Sequence, residues 1–182
     1  GTFEQMFNRI NDKLHAGFHC VKLKIGGIDF EKEIELIKYI RSKFAPDILE
    51  LRLDANGAFS PDNALIKLDQ LSKHSIHSIE QPIKSGQWEA MSKLCQNSPI
   101  PIALDEELIG VSGLRQKDSL LKEINPQYII LKPALCGGFS GADEWISLAN
   151  KYNINWWATS ALESNIGLNA IAQWISTYET TL

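Results

Sequence analysis

An α/β fold is predicted by three features of the sequence: a (β/α)8 barrel of the TIM type, present as an incomplete barrel of about six strand–helix units over residues 1–182. Helix-like and strand-like stretches alternate throughout, which predicts a parallel sheet with crossover helices. The charged residues that end the strands, Lys24, Asp54, Glu80, Asp105 and Lys132, recur at steps of 30, 26, 25 and 27 residues. A doubly wound sheet has steps of the same size, but it gathers its ligand residues at one switch point. A barrel takes them from the C-terminal ends of many strands, and ionisable groups at five consecutive strand ends favour the barrel. Because a closed barrel needs eight strands, one is expected to be missing from this chain at each end.

The elements follow in order. Residues 2–16 carry Phe3, Met6, Phe7, Ile10 and Leu14 at helical spacing, and Gly17 stands where a C-cap glycine belongs. Residues 20–25 alternate as a strand, which puts Lys22 and Lys24 on one face before Gly26-Gly27. Residues 29–44 place Phe30, Ile34, Ile37 and Ile40 or Arg41 in helical register until Pro46, and residues 48–54 form the second strand. Ser60-Pro61 opens the next helix with a capping residue and a proline at the first position, followed by the stripe Leu65, Leu68, Leu71.

Residues 77–82 are a short strand stopped by Pro82, and residues 87–95 are helical with Trp88, Met91 and Leu94 or Cys95 on one side. A fourth strand spans residues 101–105, and a helix over 114–124 follows a glycine-containing loop. The fifth strand covers 127–132, and the helix over 141–152 faces its core with Trp145, Leu148 and Ala149. Residues 154–158 are the sixth strand, and the last helix runs from Asn165 through Ile171 and Trp174.

Composition narrows the function. With 182 residues, 44% of them apolar, the chain can bury a substantial core as one domain. The net charge is −4 and the Lys and Arg residues are scattered, which excludes the basic stripe of a nucleic-acid binder. No apolar run reaches the roughly 18 residues that span a bilayer, and the first residues lack a signal-peptide pattern. The sequence therefore predicts a soluble, cytoplasmic protein with a small-molecule partner and neither a nucleic-acid nor a membrane partner; it leaves the oligomeric state open. Cys20, Cys95 and Cys136 are widely spaced and read as reduced, mostly buried thiols. Gly17 separates His15 from His19, so that pair predicts no metal site.

The chemistry gathers at the strand ends. Taken singly, Asp54, Glu80 or Asp105 would be a helix cap or a solvated loop residue. At three successive strand ends of a barrel they converge on its mouth and suit one hard divalent cation, Mg2+ or alternatively Mn2+. Lys22 and Lys24 on one side and Lys132 on the other flank that acidic group in sequence. A lysine acts as a base near neutral pH when its pKa falls, which a second ammonium and a nearby dication would bring about. Lys24 is the candidate base and Lys22 its tuner, and the matching reaction is proton abstraction next to a carboxylate. Asn56 reads as support for the metal site. Gly137 and Gly138 before a helix suit either a substrate carboxylate or a plain turn. Ser160 and Glu163 are expected to line the pocket; no histidine stands ready to make Ser160 a nucleophile.

Val21-Lys22-Leu23-Lys24, Leu53-Asp54-Ala55-Asn56, Ile79-Glu80-Gln81-Pro82, Leu104-Asp105-Glu106, Leu131-Lys132-Pro133 and Ser160 to Gly167 together resemble the muconate-lactonising subgroup of the enolase superfamily. The Lys132 segment leading to Gly137-Gly138, with Leu162-Glu163-Ser164-Asn165, resembles its o-succinylbenzoate-forming branch. The resemblance covers essentially the whole chain. It implies a lyase of menaquinone biosynthesis: an Mg2+-dependent syn-dehydration of 2-succinyl-6-hydroxy-2,4-cyclohexadiene-1-carboxylate. It further implies that Lys24 takes the proton alpha to the carboxylate and returns it to the leaving hydroxyl, while Lys132 steadies the anion from the opposite face. The family also has an N-terminal capping domain over the barrel mouth, expected to lie outside this chain. The alternatives are an N-acylamino acid racemase or dipeptide epimerase of the same superfamily, and a non-catalytic barrel fragment.

Overall fold

A computed structural model of the chain describes residues 2–178 and divides it into two compact units, Gly1–Ala103 and Leu104–Leu182. In the first unit the order is α1 (Phe3–His15), β1 (Cys20–Lys24), α2 (Phe30–Lys43), β2 (Glu50–Asp54), α3 (Pro61–Ser72), β3 (Ser78–Glu80), α4 (Trp88–Asn97) and the start of β4 (Ile102–Leu104). Neighbouring strands pair in parallel, β1 with β2, β2 with β3 and β3 with β4, each joined to the next by a helix. Parallel neighbours need such crossovers, and this is the predicted α/β pattern.

Local chemistry fixes the helix ends. Thr2 accepts the Gln5 N–H at 3.3 Å while Gln5 Oε1 accepts the Thr2 N–H at 3.0 Å, a reciprocal cap that starts α1. Asp29 caps α2 by accepting the Glu31 N–H at 3.1 Å. The core of this unit sets Leu51, Leu53 and Ile79 of the strands with Leu36, Ile37 and Ile40 of α2, Leu68 and Leu71 of α3 and Met91 of α4, all buried. One predicted stripe shifts. In α3 it is Ala64, not Leu65, that joins Leu68 and Leu71 inside, and Leu65 is exposed. Residues three and four before Leu68 share its face, and the smaller one fits there.

Arg41 ties this unit together from α2. Its guanidinium donates to the carbonyls of Leu49 (2.7 Å), His74 (3.0 Å) and Ser75 (2.8 Å). The neighbouring histidines carry a pH dependence. Burial, followed by the charges of Lys38, Lys73 and Arg41, pushes the His74 pKa down. Burial also lowers that of His77 against the pull of Glu50. The folded state then binds fewer protons than the unfolded chain, so stability is complete above the ordinary histidine value and is lost as pH falls through about 6.5. Melting temperature should drop between about pH 7 and 5, and His74→Asn with His77→Gln should flatten that slope. A double variant with an unchanged slope would refute the assignment.

The second unit contains a 3₁₀ turn at Glu106–Leu108, α5 (Leu114–Ile124), β5 (Tyr128–Leu131), a second 3₁₀ turn at Pro133–Leu135, α6 (Gly138–Lys151), β6 (Asn155–Ala158) and α7 (Asn165–Ile175). Strands β5 and β6 are parallel, with Leu131 opposite Ala158. Its core is Leu120, Leu121 and Ile124 of α5, Ile129, Ile130 and Leu131 of β5, and Ala142, Trp145 and Ala149 of α6. Helix α6 begins at Gly138, three residues before the expected Gly141, so two glycines that punctuate the sequence lie inside a helix. Neither 3₁₀ turn is predicted by periodicity, because a single turn is too short to show one.

Candidate active site

Register places the first group of functional side chains. Lys24 lies opposite Asp54, and Asp54 opposite Glu80, so the three share one row across β1, β2 and β3. Partners in a parallel ladder point to the same face. Asp54 and Glu80 are almost fully buried, at 1% and 2% exposure. Two buried carboxylates side by side are costly unless cations meet them. Lys22 supplies one: its ammonium is 2.7 Å from Glu80 Oε2 and 3.1 Å from Asp54 Oδ2. Lys24 supplies the other, 2.9 Å from Asp54 Oδ2, and donates to Asn56 Oδ1 at 2.6 Å. The Asn56 N–H in turn donates to Asp54 Oδ1 at 3.0 Å. A cavity of about 570 Å3 beside them includes Arg9, Lys13, Lys22, Lys24 and Asn56 in its wall.

These contacts set the charges. Burial pushes the Asp54 pKa up, but the hydrogen bond from Lys24 and the charge of Lys22 outweigh it and hold the carboxyl below the usual range. For Lys22 burial lowers the pKa, and the hydrogen bond and charge of Glu80, with Asp54, outweigh it and leave it raised. The carboxylates that face Lys22 across the ladder thus decide the direction of its shift.

The second unit brings Asp105 and Lys132 together. Asp105, 2% exposed, follows β4, and its Oδ2 accepts directly from the Lys132 ammonium at the end of β5. Lys132 is held at its root, since its carbonyl accepts from the amides of Leu135 (2.7 Å) and Cys136 (3.0 Å) in the turn that follows. Gly137 and Gly138 have positive φ and open α6 without a side-chain cap. Ser160 and Glu163 lie in the loop after β6; Ser160 Oγ accepts the Leu162 N–H at 3.3 Å. Both Glu163 carboxylate oxygens are buried without a hydrogen-bond partner, and a side chain on Gly167 would meet the Glu163 Cβ at 2.9 Å. Glu163 thus packs its stem on the first turn of α7.

Among the described residues no three or more His, Cys, Asp and Glu side chains are grouped to hold a metal ion. The donor chemistry nonetheless fits a hard cation: Asp54 Oδ2 and Glu80 Oε2 already converge on one cationic nitrogen. All three cysteines are free thiols; Cys95 and Cys136 are buried and Cys20 is exposed.

The sequence profile of the enolase C-terminal domain-like family matches residues 5–182. The chain belongs to this family. As an enolase C-terminal domain-like chain it is 56% identical to o-succinylbenzoate synthase from Desulfotalea psychrophila, over 97% of this chain and 48% of that protein. Its fold superposes on the crystal structure of MenC from Desulfotalea psychrophila with a TM-score of 0.91 and 54% identity, covering all of this chain and 50% of that one. It is also 28% identical to L-Ala-D/L-Glu epimerase from Bacillus subtilis, over 93% of this chain and 46% of that protein. The chain spans about half the length of the curated relatives it matches. With this superposition the α/β fold is consistent with an incomplete TIM-type (β/α)8 barrel of an enolase-superfamily chain.

The buried charged groups that escaped the sequence reading include two carboxylates. Glu107 is 4% exposed within the 3₁₀ turn that follows β4. Glu33 is buried on α2 beside the apolar stripe. Its signal was a carboxylate inside the stripe Ile34, Ile37, Ile40, just after a Gly-Gly loop.

Proposed function

We propose that the protein carrying this chain is a metal-dependent lyase that dehydrates 2-succinyl-6-hydroxy-2,4-cyclohexadiene-1-carboxylate to o-succinylbenzoate. The row Lys24–Asp54–Glu80, in a chain 56% identical to o-succinylbenzoate synthase, is the observation that carries this reading. Lys24 takes the proton alpha to the substrate carboxylate, and that proton leaves with the hydroxyl as water while the ring becomes aromatic. Asp54, Glu80 and Asp105 are the proposed ligands of Mg2+, which when bound supplies positive charge for the developing anion and takes over the charge compensation of the buried carboxylates. Lys132, anchored beside Asp105, adds a fixed positive charge for the same anion. Gly137 and Gly138 offer uncapped amides to a substrate carboxylate, with Ser160 and Glu163 lining the pocket. The cations in the wall of the 570 Å3 cavity suit a substrate with two carboxylates.

Incubating the intact protein with this substrate and Mg2+ should produce the aromatic absorbance of o-succinylbenzoate; no dehydration overturns the reading. The second reading is an epimerase of N-acylated amino acids or dipeptides, favoured by the two lysine positions and the 28% identity to the Bacillus subtilis enzyme. Solvent deuterium entering an amino-acid alpha carbon without dehydration would select it. Asp54→Ala is expected to raise the Kd for Mg2+ by more than about 10-fold, since even loss of an outer partner costs that much. Calorimetric titration checks this, and an unchanged affinity removes Asp54 from the ligand set.

A further inference from the structure

We infer that Glu33, on the outer helix α2, is a positioning residue for Lys24, acting through the loop that follows β1. The inference rests on the reading of Lys24 as the base. Glu33 is 1% exposed. Its Oε1 accepts three successive backbone amides, those of Gly26 (2.7 Å), Gly27 (3.1 Å) and Ile28 (3.3 Å), while Oε2 is buried without a hydrogen-bond partner. Such a carboxylate is expensive to bury, and a chain that needed only a helix cap already has one in Asp29. The Glu33 bonds go instead to amides that precede the helix, beginning two residues after Lys24.

That loop is gripped from its other side as well. The Ile25 N–H donates to the Asp54 carbonyl at 2.8 Å, which carries the β1–β2 ladder one step past Lys24. Gly26 presses on the turn after β2 so closely that a Cβ there would lie 2.3 Å from the Ala58 Cβ. The same turn presents Asn56, whose Oδ1 receives the Lys24 ammonium at 2.6 Å. Glu33 therefore clamps from α2 the loop at the root of Lys24, and that loop packs on the turn whose Asn56 holds its tip. The Lys24 side chain is 66% exposed, so little packing along its stem would otherwise hold it.

Misplacing a reacting group by about 1 Å costs on the order of 100-fold in rate. In the intact protein Glu33→Ala should lower kcat by about that factor, with KM and Mg2+ affinity little changed. Glu33→Gln, whose carbonyl oxygen can accept the same amides, should recover most of it. Amide hydrogen exchange should rise at Ile25 as well as at Gly26, Gly27 and Ile28. A wild-type kcat in Glu33→Ala, or faster exchange confined to the three directly released amides, overturns the inference. If Glu33→Ala does not fold, Glu33→Asp must show the kcat loss, because its shorter stem withdraws the carboxylate; a wild-type kcat there is equally fatal. If the wild-type protein does not dehydrate the substrate, the functional reading fails, and exchange at Ile25 still decides the positioning role.

Discussion

Replacing Lys24 by Ala in the intact protein is expected to lower turnover by about 1,000-fold or more, within the range a positioned general base contributes, and to leave Mg2+ binding nearly intact. The geometry separates the two effects. Lys24 Nζ is 2.9 Å from Asp54 Oδ2, but Lys22 stays 3.1 Å from the same oxygen and 2.7 Å from Glu80, so the buried carboxylates keep a cation after the substitution. The proton acceptor is lost while the charge balance largely survives. Lys24→Arg sharpens the test: guanidinium keeps the positive charge and cannot serve as a base near neutral pH. If Lys24 acts only as a charge, Arg restores turnover; if it is the base, Arg is as inactive as Ala. Steady-state rates and magnesium calorimetry on the three proteins decide it, and turnover in Lys24→Ala within tenfold of wild type would sink the assignment.

The strand ends were legible because a charge that closes an apolar run is a local event. Lys24, Asp54, Glu80, Asp105 and Lys132 all stand where such runs stop; there Lys24 pairs with Asp54, Lys132 with Asp105, and Glu80 with Lys22 from within β1. Which of them touch was not legible, since contact depends on ladder register. The sign of the Lys22 shift shows the consequence. Along the strand its nearest charge is Lys24, but across the ladder it meets Asp54 and Glu80, and those decide. Glu33 was hidden for a related reason: its partners are backbone amides, which carry no residue type for a pattern to catch. Leu65 illustrates the limit of periodicity, as Ala64 fits the same helical face and only packing volume chooses between them.

Gly141→Ala is expected to destabilise the second unit by about 3 kcal/mol, the upper end of what overpacking usually costs. In a chain of this size that lowers the melting temperature by about 10 °C. The sequence drew attention to Gly137 and Gly138, whose positive φ explains them, yet of the three glycines around the start of α6 the one with no room for a methyl is Gly141. A Cβ there would lie 2.1 Å from the Cys136 carbonyl oxygen and 3.0 Å from its carbon, both backbone atoms that cannot swing aside. The Gly141 carbonyl also accepts from the Lys117 ammonium at 2.9 Å, and that lysine is 1% exposed and bonded to Glu144 at 2.8 Å. Relief by moving α6 would pull this buried cation from its acceptors, and relief by moving the turn would displace Cys136, whose amide bonds the Lys132 carbonyl at 3.0 Å. Either response is costly, and the second reaches the anchor of Lys132. Thermal unfolding followed by circular dichroism checks the prediction, and a melting temperature within a degree or so of wild type would show that α6 and the Cys136 turn are not locked against each other.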